Sequence, residues 1–394
     1  MTPTALLIVE PNFLNIHVGV RRVIFNFWRE LLRQGFRVSL ATPADGRLLA
    51  ARPTSLNWCL AQTDKSHQDA PYWRSEYGPL QESSLSQHGR TGASVRWSEK
   101  AITASEFDVS IITNPWLCAD GGFKDPVSIG IVYDMVPNLI ACGAINFGAF
   151  VDAYAFASAH DAGYQQYLDR AERIVCISDS SRQDFVDFYQ LSASDARRVE
   201  AIIPYAFDPG ARIRGFLNTS SERRILLVNV LDPRKNFDAA NAVLKRLAKA
   251  NIQLAIDVVG RERMAPQDAV RFLNEMSAHG FQVRWFRDAS NACLSRLYAD
   301  ADVLLFPSFY EGLGLPILEA QNHGVPVVGS NTGSCFDINM NPALAASPAD
   351  HSAIADRLLT VVDARSPSVS NVITGVELGD ALKQYLAPRT AITF

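Results

Sequence analysis

The sequence of 394 residues contains no apolar run that approaches the roughly 20 residues a bilayer-spanning helix needs. Its first ten residues lack the basic start and the long apolar stretch of a signal peptide. Charge of neither sign dominates, because 37 Lys and Arg residues face 41 Asp and Glu residues. The broad cationic surface that nucleic acid requires is therefore missing, and we expect no nucleic-acid partner. We expect a cytoplasmic protein, with any membrane contact confined to the periphery of the inner face.

Cysteine is scarce and scattered. None of the six cysteines belongs to a Cys-x-x-Cys pair: Cys59, Cys118, Cys142, Cys176, Cys293 and Cys335. This spacing predicts neither a zinc site nor a disulfide framework, and a reducing compartment is the simpler setting. One literal metal motif, Asp300-Ala-Asp302, stands directly before an apolar segment. A pair of aspartates at a helix end explains it better than a ligand pair, so we expect no metal and no other cofactor.

Apolar segments of strand length alternate with amphipathic segments of helix length along most of the chain. In the first half the predicted strands are 5–9, 37–41, 108–112 and 128–132, with a helix at 19–34. In the second half they are 225–230, a strand ending at 260, and 283–286, with a helix from 237 to about 250. This alternation, in a chain too long for one typical core, predicts an α/β protein with two doubly wound domains.

The most informative segment, 306–319, reads Phe-Pro-Ser-Phe-Tyr-Glu-Gly-Leu-Gly-Leu-Pro-Ile-Leu-Glu. A buried strand is predicted to end before Pro307, and Pro316 fits the first turn of a short helix over about 316–323. Glu311 then lies in the loop and Glu319 in the helix, so the two carboxylates address different parts of a ligand.

Between these two carboxylates the backbone is suited to an anion. Gly312 and Gly314 allow a close approach of the main chain, and the free N–H groups of the helix start lie near Gly314 and Leu315. A diphosphate fits this description, with one carboxylate left for sugar hydroxyls and one for ribose hydroxyls. A solvated connector with two exposed glutamates would explain the spacing equally well.

A second segment favours the ligand site. The predicted strand 225–230 runs into Pro-Arg-Lys-Asn at 233–236, which places Arg234 and Lys235 at the carboxyl end of a strand. Ligands of open α/β sheets bind at such ends, and two adjacent cations can neutralise a diphosphate. The alternative is a basic pair that only solvates a loop.

Together these residues resemble the retaining glycosyltransferases of family 4, also called glycosyltransferase group 1, which have the GT-B fold. The Glu-x7-Glu hallmark of that family is matched by Glu311 and Glu319, and its Pro-Arg-Lys-Asn segment is matched by 233–236. The match extends along most of the chain. It implies two Rossmann-like doubly wound domains that face each other across a cleft.

The resemblance also implies roles for single residues. Arg234 and Lys235 would clamp the diphosphate and stabilise the leaving group, and Glu311 would contact the transferred sugar. Glu319 would hold the ribose hydroxyls of the donor. The resulting donor-binding set is Gly19, Asn229, Gly312, Leu313, Gly314, Leu315 and Glu319, and the catalytic set is Arg234, Lys235, Glu311 and Asp134.

The chain departs from the family pattern at two places. Asn229-Val230 stands where many relatives have Gly-Arg, so the cationic role falls on Arg234 and Lys235 alone. Tyr133 stands where the family often has histidine, and no histidine role is carried over. Asp134 is then the best carboxylate candidate in the first domain, with a turn-capping role as its competitor. Gly19 is a single glycine where the family has a flexible glycine loop.

Three parts follow from the resemblance. Residues 1–205 form the first domain on the acceptor side, 206–372 the nucleotide-sugar domain, and 373–394 a helix and tail that returns to the first domain. The expected reaction moves a sugar, with GDP-mannose the first candidate donor, to a glycan or lipid-linked acceptor in surface polysaccharide synthesis. A GT-B nucleotide-sugar epimerase and a noncatalytic sugar-nucleotide or glycan-binding protein are the alternatives.

Two segments lie outside this assignment. The helix at 19–34 carries Arg22, Asn26, Arg29 and Arg33 on one stripe, which predicts an outer face that is solvated or contacts an anionic membrane. Residues 55–99 are polar and irregular with several aromatic side chains. They fit either an insertion over the acceptor cleft or a solvent-exposed excursion.

Overall fold

The computed structural model describes residues 2–16, 18–64, 72–81, 93–118, 124–146, 153–205, 223–252, 254–339, 341–363, 378–379 and 382. The strands in these ranges are β1 Thr4–Ile8, β2 Arg37–Ala44, β3 Arg47–Ala51, β4 Trp73–Arg74, β5 Trp97–Ile102, β6 Val109–Ile112, β7 Val127–Val132, β8 Ala171–Cys176, β9 Val199–Ala201, β10 Arg223–Val228, β11 Leu254–Val259, β12 Gln282–Phe286, β13 Val303–Phe306, β14 Val327–Ser330 and β15 Ala345–Ala346. The α-helices are α1 Val18–Arg33, α2 Leu56–Asp64, α3 Val136–Ala141, α4 Ala153–Arg170, α5 Asp179–Phe188, α6 Ala193–Ala196, α7 Phe237–Lys249, α8 Pro266–Ala278, α9 Asn291–Asp300, α10 Leu315–Asn322, α11 Gly333–Ile338 and α12 His351–Asp363.

The strands form two sheets. The first has the order β5-β3-β2-β1-β6-β7-β8-β9 and is parallel except for β3 and β5. The second has the order β15-β14-β13-β10-β11-β12-β4 and is parallel except for β4. The predicted doubly wound α/β class is confirmed.

Each sheet has one point where the strand order reverses direction. In the first sheet it lies between β1 and β6, and in the second between β10 and β13. Loops that leave two such strands diverge to opposite faces, so a crevice opens between them at the carboxyl ends. These two crevices are where ligands of each domain are expected.

Most predicted strands and helices are found within a few residues of their expected ends. One difference has a local cause, because β10 stops at Val228 and not at residue 230. Asn229 has a φ of 57°, in the left-handed region, which an extended strand does not tolerate. The chain therefore turns at Asn229 and enters the segment with the two cations.

A single apolar cluster runs through both halves of the molecule. It joins Leu7 and Ile24 of the first domain to Phe306 and Leu313 of the second, and all four are at least 97% buried. Burial of this kind between the sheets positions the loops after β10 and β13 against α1 and the end of β7. None of the described helices is long and apolar enough to cross a membrane.

Residues 72–81 belong to the second sheet, although the flanking α2 and β5 pack on the first domain. Trp73 in β4 pairs with Trp285 in β12, and the ring of Tyr72 stacks on Phe286 with centroids 4.5 Å apart. The N–H of Leu80 donates to Asn274 Oδ1 at 2.8 Å. A solvent-exposed excursion is therefore wrong for 72–81, while 65–71 and 82–92 lie outside the described residues.

The described part of the carboxyl terminus contacts α1. Leu378 and Leu382 are buried in the apolar cluster that contains the α1 side chains, and Gln34 Nε2 donates to the carbonyl of Gly379 at 3.5 Å. The other residues of 373–394 lie outside the described part of the chain, as do the predicted boundaries at 206 and 372.

Candidate active site

Arg234 and Lys235 follow β10 in a short 3₁₀ turn, Pro233–Lys235. Asp232 caps this turn, since its carboxylate accepts from the N–H of Arg234 at 3.0 Å and from its Nη2 at 2.9 Å. Burial alone would lower the pKa of Arg234, but the carboxylates around it, Asp232 foremost with Glu311 and Asp134, together raise that pKa. The guanidinium is thus charged and fixed at the carboxyl end of β10.

Lys235 forms an ion pair with Glu311, across the gap between the ends of β10 and β13. The two side chains are only 16% and 11% exposed, and the ammonium lies 5.4 Å from the ring centroid of Phe306. An ion pair so far removed from water is costly unless both charges stay partnered. A phosphate that replaced or shared Glu311 as the partner of Lys235 would satisfy that requirement.

The turn before α10 has the predicted form. Gly314 has a φ of 85° and caps α10, Pro316 lies in its first turn, and the helix begins at Leu315, one residue earlier than predicted. Leu313 is 3% exposed and packs in the apolar cluster, so only its backbone is available to a ligand. The N–H groups of the first turn point away from the helix, which is the geometry that binds anions.

Gly312 contacts the first domain directly. Its carbonyl oxygen lies 2.5 Å from Ser178 Oγ and 3.0 Å from Ser181 Oγ, and both hydroxyls donate to it. A Cβ at this position would lie 2.4 Å from the carbonyl oxygen of Tyr133. The chain that approaches Gly312 most closely is therefore the end of β7, and the two serines are site residues that sequence reasoning missed.

Glu319 is held by groups from both domains. One carboxylate oxygen forms an ion pair with Arg22 of α1, and the other accepts from the Tyr298 hydroxyl at 2.8 Å. Arg22 Nη2 also donates to Asn291 Oδ1 at 3.0 Å. Burial alone would lower the pKa of Arg22, but the Glu319 carboxylate, with smaller contributions from Tyr298 and Tyr205, raises it.

The prediction that the polar stripe of α1 forms an outer face is wrong for two of its four residues. Arg22 faces the second domain, and Asn26 is 9% exposed and donates to the carbonyl of Pro204 at 2.7 Å. The reason is that α1 lies between the first sheet and the second domain, so it is covered on two sides. Arg29 and Arg33 remain exposed on the outside.

Asp134 lies one residue beyond Tyr133, at the carboxyl end of β7. Its Oδ1 accepts from the N–H of Val136 at 3.0 Å, which is the turn-capping role named above as the competitor. The charges of Asp134 and Glu311 both act on Arg234. The structure therefore brings three of the predicted catalytic side chains and Asp134 to one place, where the two domains meet.

The two remaining predicted donor residues lie at the rim. Asn229 is exposed at the end of β10, and its N–H donates to the carbonyl of Val259 at 2.7 Å. Gly19 lies in the first turn of α1, three residues before Arg22. Asn229 thus lies on the second domain with the other predicted donor groups, whereas Gly19 lies on the first.

Asp302 has a structural role. Its carboxylate accepts from the N–H of Arg224 at 2.8 Å and from Arg223 Nη1 at 3.2 Å. Among the described residues there is no group of three or more His, Cys, Asp or Glu side chains that could hold a metal ion. The Asp-x-Asp motif is thus used to join β10 to the start of β13.

Two Rossmann-like sheets with the described site between them define the GT-B fold, and solved structures agree. HepE from Anabaena, in complex with UDP and glucose, gives a TM-score of 0.57 at 14% identity, covering 98% of this chain and 95% of that one. WaaG, a glycosyltransferase involved in lipopolysaccharide biosynthesis, gives 0.52 at 15% identity, covering 97% and 94%.

Sequence comparison agrees with the fold. Residues 212–373 match the model of glycosyl transferases group 1, and the predicted resemblance to that group is confirmed for this part of the chain. O-antigen chain mannosyltransferase B from Escherichia coli is 27% identical over 197 residues, 49% of this chain and 52% of that protein. The serotype-specific mannosyltransferase WbdA from Escherichia coli is 23% identical over 273 residues, 64% of this chain and 32% of that protein. The matches thus span about half and about a third of these relatives.

Proposed function

We propose that this protein is a retaining glycosyltransferase that uses a nucleoside diphosphate sugar. The observation that supports this best is the convergence of Arg234, Lys235 and Glu311 at the point where the strand order of the second sheet reverses. The acceptor is a hydroxyl group of a glycan or a lipid-linked saccharide, and the setting is surface polysaccharide synthesis.

The proposed chemistry is electrostatic. As the bond between sugar and diphosphate breaks, negative charge grows on the leaving phosphate, beside the Arg234 guanidinium, the Lys235 ammonium and the N–H groups at the start of α10. Interactions that strengthen in this way lower the barrier and do not merely tighten binding. Glu311 faces the sugar, where positive charge develops. We propose that no metal is needed, because these groups already supply the positive charge that a diphosphate requires.

The donor sugar is proposed from the relatives. Both Escherichia coli relatives are named mannosyltransferases, and WaaG is described as a lipopolysaccharide enzyme. These names favour mannose and surface polysaccharide, with GDP-mannose as the first candidate. HepE was solved with UDP, which makes uridine the competing base.

The test compares two lysines. Turnover of a panel of UDP, GDP and dTDP sugars with a glycan acceptor is followed by release of the nucleoside diphosphate. Lys235→Ala should lower turnover by about 100-fold or more, because it removes a charge that stabilises the leaving group. Lys245→Ala is the matched control and should leave turnover unchanged, since Lys245 lies on the surface of α7 and pairs with Glu275 of α8.

The same assay separates the alternatives. A folded Lys235→Ala variant with full turnover would contradict the assignment of Lys235. A new nucleotide sugar formed from donor alone would identify an epimerase. Donors that raise the melting temperature without any turnover would identify a binding protein, because stabilisation requires only binding to the folded state.

A further inference from the structure

A polar cluster lies at the other crevice, where the strand order of the first sheet reverses between β1 and β6. Glu10 follows β1, Trp116 follows β6, and Tyr133 follows β7, while His160 reaches the same place from α4. None of these side chains belongs to the donor site described above. Because Tyr133 also meets Gly312, the cluster adjoins the loop that carries Glu311.

Glu10 is oriented by two donors from the loop after β6. Its Oε1 accepts from Trp116 Nε1 at 2.7 Å and from Asn114 Nδ2 at 3.2 Å. Asn114 is fully buried and is fixed in turn by Thr113, whose hydroxyl donates to Asn114 Oδ1 at 2.8 Å. In the described part of the chain, no bond is made to the second oxygen of Glu10.

Among the residues that the structure describes, the partly buried Glu10 carboxylate has no positively charged partner to offset the free-energy cost of its burial. No Lys, Arg or His pairs with Glu10 within the described residues, although the carboxylate is partly buried. Burial raises the pKa of Glu10, and the Trp116 hydrogen bond opposes that shift only in part. A carboxylate kept in such surroundings without a partner charge is typical of a functional site.

Two further polar atoms lie unused beside it. The Tyr133 hydroxyl and His160 Nδ1 have no hydrogen-bond partner among the described residues, and both side chains are 7% exposed. The Glu10 charge acts on Tyr133, and the His160 ring stacks on Trp116 with centroids 5.6 Å apart. Buried polar atoms in native proteins usually bond to protein, water or ligand, so two of them in one cluster offer hydrogen bonds to a ligand that enters from the cleft.

We propose that Glu10, Trp116, Tyr133 and His160 form a subsite for the hydroxyl groups of one hexose ring on the first-domain side of the cleft. Sugar hydroxyls donate to the unused Glu10 oxygen, and the Tyr133 hydroxyl and His160 Nδ1 complete the hydrogen bonds. Trp116 offers an indole beside a polar group, as carbohydrate sites require. This subsite rests on the proposed glycosyltransferase function, and the ring belongs either to the donor sugar or to the acceptor.

The test uses Glu10→Gln, which keeps the size of the side chain and its bond to Trp116. We expect kcat/KM to fall about 10- to 100-fold, which is the usual effect of losing a charged hydrogen-bond acceptor. The Kd for free GDP or UDP, measured by calorimetry, should stay within about twofold, because no sugar is present. Glu275→Gln, on the surface of α8, is the matched control and should leave all values unchanged.

The kinetics also identify the source of the ring. If the ring belongs to the donor, Glu10→Gln raises the KM for the donor and slows hydrolysis of the donor in the absence of acceptor. If the ring belongs to the acceptor, Glu10→Gln raises the KM for the acceptor alone. Trp116→Phe, which keeps a ring but loses the N–H, should show the same pattern more weakly.

Either of two results would overturn the subsite alone, namely wild-type kinetics in folded Glu10→Gln or an equal loss of affinity for the free nucleoside diphosphate. A wild-type protein that turns over no donor would overturn the proposed function and the subsite together.

Discussion

Gly312 lets the two domains approach closely because it has no side chain. Its Cα faces the carbonyl of Tyr133 and its own carbonyl accepts from Ser178 and Ser181, so three bonds or contacts meet at a position with no Cβ. The loop that carries Glu311 is thereby fixed against the end of β7.

Gly312→Ala should disturb this contact. A methyl group placed 2.4 Å from a backbone oxygen forces one of the two chains to move, and overpacking of this kind costs about 1–3 kcal/mol. We expect a lower denaturant midpoint and a lower kcat, because Glu311 moves with the loop. Ser178→Ala is the comparison, since it removes the bond to the same carbonyl without a clash. It also removes the side-chain cap of α5, so it should cost about 1–2 kcal/mol while leaving the backbone in place. Equal stability of the alanine variant and the wild type would show that the loop is not held here.

The candidate site residues that lie near one another in sequence could be predicted, and their distant partners could not. Glu311, Arg234 and Lys235 were found because strand ends, glycines and prolines are local signals. The ion pair of Arg22 with Glu319 joins residues 297 positions apart, and no local pattern indicates it. The sequence shows the stripe of polar side chains on α1. It does not show that the second domain covers part of that stripe.

At the scale of the elements, β4 is the unexpected one. It comes from the first half of the chain and pairs with the edge strand β12 of the second sheet, which would otherwise present unpaired backbone groups. A polar, irregular sequence predicts no such strand, because two residues are too short for any periodicity. The long, parallel strands of both sheets, by contrast, were predicted from their apolar runs.

Leu80→Ala tests whether the 72–81 segment stabilises the second sheet. Leu80 is 6% exposed in the core of the second domain, so truncation should cost about 2–4 kcal/mol. Leu32→Ala is the matched control, because Leu32 is 45% exposed on α1. Hydrogen exchange of the β12 amides should become faster in Leu80→Ala only. Unchanged protection of β12 would mean that 72–81 lies on the sheet without supporting it.

At the scale of the whole molecule, the pair of Arg22 with Glu319 links α1 of the first domain to α10 of the second. The Arg22 and Glu319 side chains are 26% and 11% exposed. Any ligand that bonds to Glu319 must therefore share the carboxylate with α1 or release it. In the proposed donor site, donor occupancy and the placement of the domains would be coupled through this contact, because both would depend on one carboxylate.

A double-mutant cycle measures that link. Arg22→Gln, Glu319→Gln and the double variant should give a coupling free energy of about 1–3 kcal/mol in denaturant unfolding. The exposed pair of Arg271 with Asp268 on α8 is the control and should give about 0.5 kcal/mol or less. Additive effects at Arg22 and Glu319 would show that the ion pair does not hold the domains together.

The position of 72–81 on the second sheet has a consequence for the exchange of domains between relatives. A chimaera joined near residue 205 would pair β12 of one parent with the β4 of the other. The side chains that meet there, Tyr72 on Phe286 and Trp73 beside Trp285, would then come from sequences that never evolved together. When donor specificity is exchanged by replacing the second domain of this chain, residues 72–81 should therefore be replaced from the same relative, although they belong to the first half of the sequence.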